Sequence, residues 1–161
     1  EHRLESSKSL DCRMTGASSD EQLILALLAM ELDSVIEIGN VPAVIHHHWK
    51  LLTTEQLVIT GRQLDHIRST HFEMMELVGE LILTMRYPDE IHRDHISDTS
   101  AIFWKALDPE GMHWLRASIS LATQDKGPEK ANSLITAWRI RRRGYLHGVN
   151  AGRRLWRKGE S

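Results

Sequence analysis

The stretch at residues 101–121, AIFWKALDPEGMHWLRASISL, decides the fold class of this 161-residue chain. Asp-Pro-Glu-Gly at 108–111 places Asp, Pro and Gly at the positions of a type I turn that these residue types favour. The residues on either side of this turn follow an alternating rather than a helical period. The stretch therefore predicts an antiparallel β-hairpin with strands at 101–107 and 113–121.

The second strand of this hairpin has an apolar face and a polar face, since strand side chains alternate. Its apolar face packs against a core, and its polar face is free for chemistry. The apolar side chains are Leu115, Ala117, Ile119 and Leu121, and those on the other face are Trp114, Arg116, Ser118 and Ser120.

Helices precede this hairpin, and further strands flank it. An S-x-x-E capping box at 18–21 comes before apolar residues at helical spacing, which predicts a helix near residues 19–38. Thr60 can cap a helix at 61–71, and a second amphipathic helix follows and stops at Pro88. Short strands or extended segments are predicted at residues 43–52, 57–59, 91–93 and 133–138.

The chain divides into four predicted segments. Residues 1–17 are polar and show no clear period, so they are interpreted as a flexible leader. An N-terminal helix at 18–40, an α+β domain at 41–145 and a basic C-terminal tail at 146–161 follow. The first half of the N-terminal helix is apolar nearly all round, which favours a homodimer through this helix.

Cysteine usage and hydropathy favour a soluble, cytoplasmic protein. Cys12 is the single cysteine, so an internal disulfide cannot form and a reducing compartment fits best. The longest apolar run, Leu23 to Met30, has eight residues, whereas roughly 20 are needed to cross a bilayer. The first residues also lack a charged-then-apolar signal pattern. No membrane partner is therefore expected.

The formal net charge of −2 conceals an uneven distribution of charge. Arginine is concentrated near the C-terminal end, and the other residues are net acidic. Arginine binds phosphate through a planar fork of donors, which favours contact with a nucleic acid. A solvated basic helix, or a tail that pairs with the acidic body, is the alternative. The candidate nucleic-acid-binding residues are Arg62, Arg139, Arg141, Arg142 and Arg143.

Several short motifs occur in an order that carries a family resemblance. They are Val58-Ile59-Thr60, His66-Ile67, His71, Pro88-Asp89, Ile102-Phe103-Trp104-Lys105 and Leu134-Ile135-Thr136-Ala137-Trp138. Over roughly residues 44–140, this order resembles the phage-type branch of the barnase/EndoU/colicin/RelE-like nuclease superfamily. The chain has Trp where those domains usually have Tyr in two strands. It also has Ser-Thr-His-Phe at 69–72 where they have Arg-His-Pro.

The resemblance implies an α+β fold in which N-terminal helices pack against a curved antiparallel sheet, here with an extra N-terminal helix. It also implies a metal-independent endoribonuclease that uses no cofactor and cleaves RNA by transesterification to a 2′,3′-cyclic phosphate. RNA and a cognate inhibitor protein would be its partners, and it would act as a toxin or effector of a phage or another mobile element. A non-catalytic nucleic-acid or protein interaction module on the same fold is the alternative.

Five residues are the catalytic candidates under this resemblance. Cleavage of RNA by its own 2′-hydroxyl needs a base, an acid and a cation that stabilises the phosphorane. His66 is preferred for proton transfer, because histidine titrates near neutral pH. Lys105 and Arg116 supply positive charge, and Thr136 donates its hydroxyl to phosphate. His71 lies about 140° around the helix from His66 and shares the apolar stripe, so a partly buried core position is its alternative role.

The other histidines and the aromatic residues allow further interpretations. His-His-His at 46–48 and the His, Asp and His residues within 92–95 are of metal-ligand type. Neighbouring strand residues point to opposite faces, so no metal site is predicted, and a His-rich metalloprotein is the weakest alternative. The aromatic residues that either stack on bases or pack in the core are Trp104, Trp114, Trp138 and Tyr145.

Overall fold

The computed structural model describes residues 19–124 and 131–160, so the predicted leader at 1–17 lies outside the described residues. The helices are α1 (Ser19–Leu28), α2 (Ile45–His48), α3 (Gly61–Thr70), α4 (Val78–Arg86) and α5 (Arg142–Asn150), with a 3₁₀ turn at Phe72–Glu76. The strands are β1 (Val35–Asn40), β2 (Gln56–Thr60), β3 (Glu90–Arg93), β4 (Ser100–Ala106), β5 (His113–Ser120), β6 (Asn132–Arg141) and β7 (Arg154–Arg157). The predicted α+β class is confirmed. In these two ranges, every helix is too short or too polar to cross a membrane.

The seven strands form one open, mixed sheet in the order β1-β2-β6-β5-β4-β3-β7. Among the described strand pairs, β2 and β6 run parallel, and all the others run antiparallel. The expectation of a purely antiparallel sheet is therefore wrong at this pair. Parallel strands need a long crossover connection, and the chain from α3 to β5 supplies it.

The β4–β5 hairpin forms as its turn motif predicts. The N–H of Gly111 donates to the carbonyl of Asp108 at 3.1 Å, and Gly111 has a φ of +67°. The Asp108 carboxylate accepts hydrogen bonds from the backbone N–H groups of Met112 at 2.7 Å and His113 at 2.9 Å. These bonds, led by the one from Met112, hold the pKa of Asp108 below its ordinary value. The turn thus fixes the register of the two strands.

Helices cover both faces of the sheet. On the core face, α3 and α4 pack over the apolar side chains of the central strands. On the opposite, outer face, α5 places Tyr145 against Trp104 and Trp114 in a second, smaller cluster. Residues of the core face that are at most 1% exposed include Leu64, Ile67, Leu81, Phe103, Leu115 and Ala117.

The N-terminal segment differs from the helix predicted at residues 18–40. α1 ends at Leu28, and the chain then forms β1, which pairs antiparallel with β2. Val35, Ile36 and Ile38 are β-branched, and such residues fit an extended strand better than a helix. A turn after Leu28 therefore separates α1 from β1, and the helical spacing of apolar residues does not mark one continuous helix.

The strand predicted at residues 43–52 is also wrong. α2 begins after Pro42, whose fixed φ suits the first turn of a helix. The N–H of Ile45 donates to the carbonyl of Pro42 at 3.0 Å. His46 and His48 therefore lie on one short helix and do not share the face of a strand.

Residues 146–161 were expected to form a basic tail, but most of them belong to the fold. Residues 146–150 complete α5, and β7 pairs antiparallel with β3 at the edge of the sheet. Trp156 is partly buried against the main core, and Nη1 of Arg154 lies 3.6 Å from Oε1 of Glu90.

Candidate functional site

Four side chains of β5 and β6 lie next to one another on the outer face. Arg116 is opposite Trp138 in the register of the two strands, and Ser118 is opposite Thr136. Since side chains alternate across a strand, both pairs point away from the core face. His71, at the end of α3, joins them through its contact with Trp138. We call these five residues the outer-face patch.

Most of β6 has no partner among the described strands on the β2 side, and α3 reaches the patch along this side. β2 pairs with β6 only at Asn132 and Ser133, and α3 and the 3₁₀ turn lie along β6. The backbone N–H of His71 ends α3 by donating to the carbonyl of Ile67 at 2.7 Å. Its ring stacks on Trp138, with the ring centroids 5.2 Å apart and the planes at 27°. The His71 side chain is 33% exposed, so it is accessible within the patch and not buried in the core.

Arg116 is held in place by Trp138 and Ser118. Its Cζ lies 4.4 Å from the centroid of the Trp138 ring, which is a cation–π contact. Its Nη1 donates to Oγ of Ser118 at 2.9 Å. Burial lowers the pKa of Arg116, while Asp94 opposes that shift and Arg153 adds to it. Arginine stays protonated at neutral pH, so the patch carries a fixed positive charge.

His66 and Lys105 lie away from the patch. His66 is exposed on α3. Lys105 is opposite Leu115, a fully buried residue of the core face. Nζ of Lys105 lies 3.3 Å from the carbonyl oxygen of Tyr87 and 3.7 Å from Oδ1 of Asp89. Lys105 and the patch are therefore on opposite sides of the sheet, and one phosphate cannot contact both.

The candidate nucleic-acid-binding arginines fall into two regions. Nη2 of Arg62 forms an exposed ion pair with Oδ1 of Asp33 at 2.9 Å. The second group is divided between the two sides of the sheet. Arg139 is opposite Leu115 and points to the core-face side, whereas Arg142 and Arg143 begin α5 on the outer face. Its members, all exposed around the junction of β6 and α5, are Arg139, Arg141, Arg142 and Arg143.

The four aromatic candidates separate into a buried group and one partly exposed residue. Trp114 and Tyr145 stack with ring centroids 3.8 Å apart, and Trp104 meets Tyr145 edge-on at 5.5 Å. These three residues are at most 8% exposed, so they are buried in the smaller cluster on the outer face. Trp138 is the member of the four that stays partly exposed.

Sequence reasoning missed a buried polar network beneath α5. The hydroxyl of Tyr145 donates to Oε2 of Glu90, and Nε2 of His92 lies 2.9 Å from Oε1 of Glu90. Glu90 and His92 are 3% and 1% exposed. The available signal was the alternation of β3, which places Glu90 and His92 on one face and the apolar Ile91 on the other.

The charges of this network are fixed by its contacts. Burial acts to raise the pKa of Glu90, but hydrogen bonds from His92 and Tyr145 and the charge of Arg154 outweigh it, so the pKa is lowered. Burial, followed by the contact with Glu90, raises the pKa of Tyr145 to about 12. At neutral pH the network therefore contains a carboxylate and a neutral phenol.

No family model, curated protein or solved structure matches this chain. Its function is therefore proposed from the geometry of the outer-face patch together with the motif resemblance.

The histidine-rich segments do not come together as metal ligands. Among residues 19–124 and 131–160, no group of three or more His, Cys, Asp or Glu side chains is arranged to hold a metal ion. His92 faces Glu90, and Nδ1 of His95 lies 3.9 Å from Oδ1 of Asp94. Nε2 of His46 contacts Oε1 of Glu55 at 3.1 Å. Each of these histidines contacts one carboxylate.

Proposed function

We propose that this chain is a metal-independent endoribonuclease whose active site is the outer-face patch. The observation that carries this proposal is the meeting of one histidine, one arginine and two hydroxyl groups on a single face of the sheet. His71, Arg116 and Thr136 of this group are catalytic candidates from the sequence, and Ser118 is added by the register of β5 and β6. Such a site needs no metal and no cofactor.

Each polar group has a role in transesterification of RNA. The neutral imidazole of His71 takes the proton of the 2′-hydroxyl, whose oxygen bonds to phosphorus as the bond to the 5′-oxygen breaks. Arg116 stabilises the charge of the phosphorane, and the hydroxyl of Thr136 donates to one of its oxygens. Water on the open side of the patch protonates the leaving 5′-oxygen. The products are a 2′,3′-cyclic phosphate and a free 5′-hydroxyl.

Trp138 is a positioning residue in this arrangement. Its ring contacts both the guanidinium of Arg116 and the imidazole of His71. A rigid aromatic ring between strand and helix restricts the rotamers of both side chains, and geometry held in this way favours proton transfer.

The motif order supports assigning the chain to the phage-type branch of the barnase/EndoU/colicin/RelE-like nuclease superfamily. Two helices joined by a 3₁₀ turn follow β2, and antiparallel strands follow the helices, in the same order as the motifs. This assignment carries with it a role as a toxin or effector of a phage or another mobile element. RNA in the cytoplasm would be the substrate, and a cognate inhibitor protein would block the outer face.

The test is cleavage of total RNA by the purified chain in EDTA, with analysis of the fragment ends. We expect discrete fragments with cyclic phosphate ends from the wild type. His71→Ala should lower the rate by about 100-fold or more, as loss of a general base does. Arg116→Lys keeps the charge but loses the planar fork, so we expect a partial loss. His66→Ala is the matched control, because it makes the same change at an exposed position of α3.

The outcomes of this test distinguish the proposed activity from the proposed location of the active site. Cleavage that survives His71→Ala but is lost in His66→Ala would keep the nuclease and reject the patch. Intact RNA after incubation with folded wild-type protein would reject the nuclease.

One observation favours a non-catalytic interaction module as the second candidate function. The polar groups of Arg116 and His71 already pack on Trp138, and two exposed arginines, Arg142 and Arg143, begin α5 on the same face of the sheet. A surface of this kind can hold a phosphate backbone without reacting with it. In that case RNA stays intact, and its binding weakens as the salt concentration rises.

A further inference from the structure

A cavity of about 130 Å³ lies beneath α5, beside the outer-face patch. Arg116 lines this cavity and also belongs to the patch. His92 and Trp104 line it from the sheet, and Gly144 and Gly148 line it from α5. Gly148 allows α5 to lie close to the sheet, because a Cβ at this position would lie 3.3 Å from Nδ1 of His92 and would narrow the cavity.

The side chains around this cavity present hydrogen-bond donors. Arg116 and Arg153 both line it. Nε2 of His92 is engaged with Glu90 and is not available to a ligand. Among the described residues, the buried Nε1–H of Trp104 has no hydrogen-bond acceptor. A buried donor without an acceptor is unfavourable, so a ligand with acceptor oxygens would be stabilised here.

Positive charge predominates around the cavity. Arg93 and Arg153 line it together with Arg116. The negative charge of Asp94 favours the charged form of Arg116, whereas the positive charge of Arg153 disfavours it. Both carboxylate oxygens of Glu90 are engaged within their own network. Partly buried like charges are unfavourable unless an opposite charge lies between them.

We propose that the cavity beneath α5 binds a phosphate group. A tetrahedral oxyanion offers several acceptor oxygens, which match the forks of Arg116 and Arg153 and the indole N–H of Trp104. The cavity has several times the volume of roughly 30 Å³ that one water occupies in the liquid. Arg93 and His147 are at the exposed side of the cavity, so an ion can enter from solvent.

The phosphate is either a free ion or part of a nucleic-acid strand. Arg116 is shared with the patch, so a strand with one phosphate in the cavity would have its neighbouring phosphate near His71 and Thr136. This second source rests on the proposed nuclease or nucleic-acid-binding function, whereas the free ion does not.

The test is titration of the purified full chain with inorganic phosphate at constant ionic strength, with chloride as the reference anion. A ligand that binds the native state raises its melting temperature, and this shift measures the binding of phosphate. We expect Arg153→Met and Gly148→Ala each to weaken phosphate binding about tenfold or more. The first removes a donor fork, and the second fills the cavity with a methyl group at constant charge. Lys50→Met removes one positive charge from an exposed position that does not line the cavity and should leave the affinity unchanged.

The proposal is overturned if phosphate does not stabilise the wild type, or if it stabilises wild type and Arg153→Met equally. RNA cleavage in EDTA is measured separately, so failure of the nuclease and failure of the phosphate site are distinguishable. A 2′-deoxy oligonucleotide, which cannot undergo transesterification, identifies the source. It displaces phosphate if the strand occupies the cavity, and it leaves phosphate bound if the ligand is the free ion.

Discussion

The hydrogen bond between Tyr145 and Glu90 allows a direct test of the network beneath α5. Tyr145→Phe removes the phenolic O–H but keeps the ring stacked on Trp114. Glu90 retains His92 and Arg154 as partners, so the loss is one hydrogen bond to a charged group, about 1.5–3 kcal/mol. For a chain of this length, a loss of about 2 kcal/mol lowers the melting temperature by roughly 4–8 °C. Urea unfolding at pH 7 measures the free energy of unfolding, with an unchanged m-value as the control.

The pH dependence of this loss follows from the lowered pKa of Glu90. A carboxyl group whose pKa is lower in the folded state stabilises the fold above its ordinary pKa, and that contribution disappears as the pH falls through the folded value. For Glu90 the ordinary value is 4.5. The difference between wild type and Tyr145→Phe should therefore be largest at neutral pH and shrink in acid below 4.5. Equal unfolding free energies at pH 7, or a difference that grows in acid, would refute this reasoning.

Three further substitutions test other parts of the structure. Asn132→Ala leaves three backbone hydrogen-bonding groups without their amide partner, and urea unfolding should show a loss of about 2–3 kcal/mol. Gly111→Ala places a Cβ at a φ of +67°, which should cost about 1–2 kcal/mol and lower the melting temperature. If α1 forms a homodimer, Leu25→Gln, at a side chain that is 67% exposed, should reduce the mass in solution to that of a monomer. Light scattering that gives a monomer mass for both wild type and variant would exclude this dimer, and Leu27 is unsuitable because it is fully buried.

Local sequence signals are sufficient for the β4–β5 hairpin and for α3. The turn at 108–111 is closed by hydrogen bonds between residues close in the chain. The side chain of Thr60 accepts a hydrogen bond from the N–H of Gln63 at 3.3 Å, as expected of an N-cap. β1 and β7 differ, because each is a short strand paired with only one neighbour. Their stability depends on the core behind them, which a local pattern does not reveal.

The residues of the candidate site also differ in whether nearby sequence or contacts between distant segments determine their positions. The turn alone sets Lys105 opposite Leu115, so the apolar character of Leu115 was enough to place Lys105 on the core side. The position of Thr136 beside Ser118 depends on the pairing of β5 with β6, which shifts register directly after Ser118. The arrival of His71 at the edge of β6 is set by helix packing. Neither of these two features has a local sequence signal.

α5 and β7 follow the other described elements in the chain, and this order affects the protein while it is being synthesised. Glu90 and His92 leave the ribosome before Tyr145 and Arg154, which later bury and pair them. Until then β3 pairs only with β4 and is the edge strand of the sheet, and such an edge favours association with other chains. A nascent chain that stalls before residue 142 would also expose the tryptophans of the outer face to solvent. We therefore expect such a stalled chain to be bound by chaperones, whereas the completed chain is not.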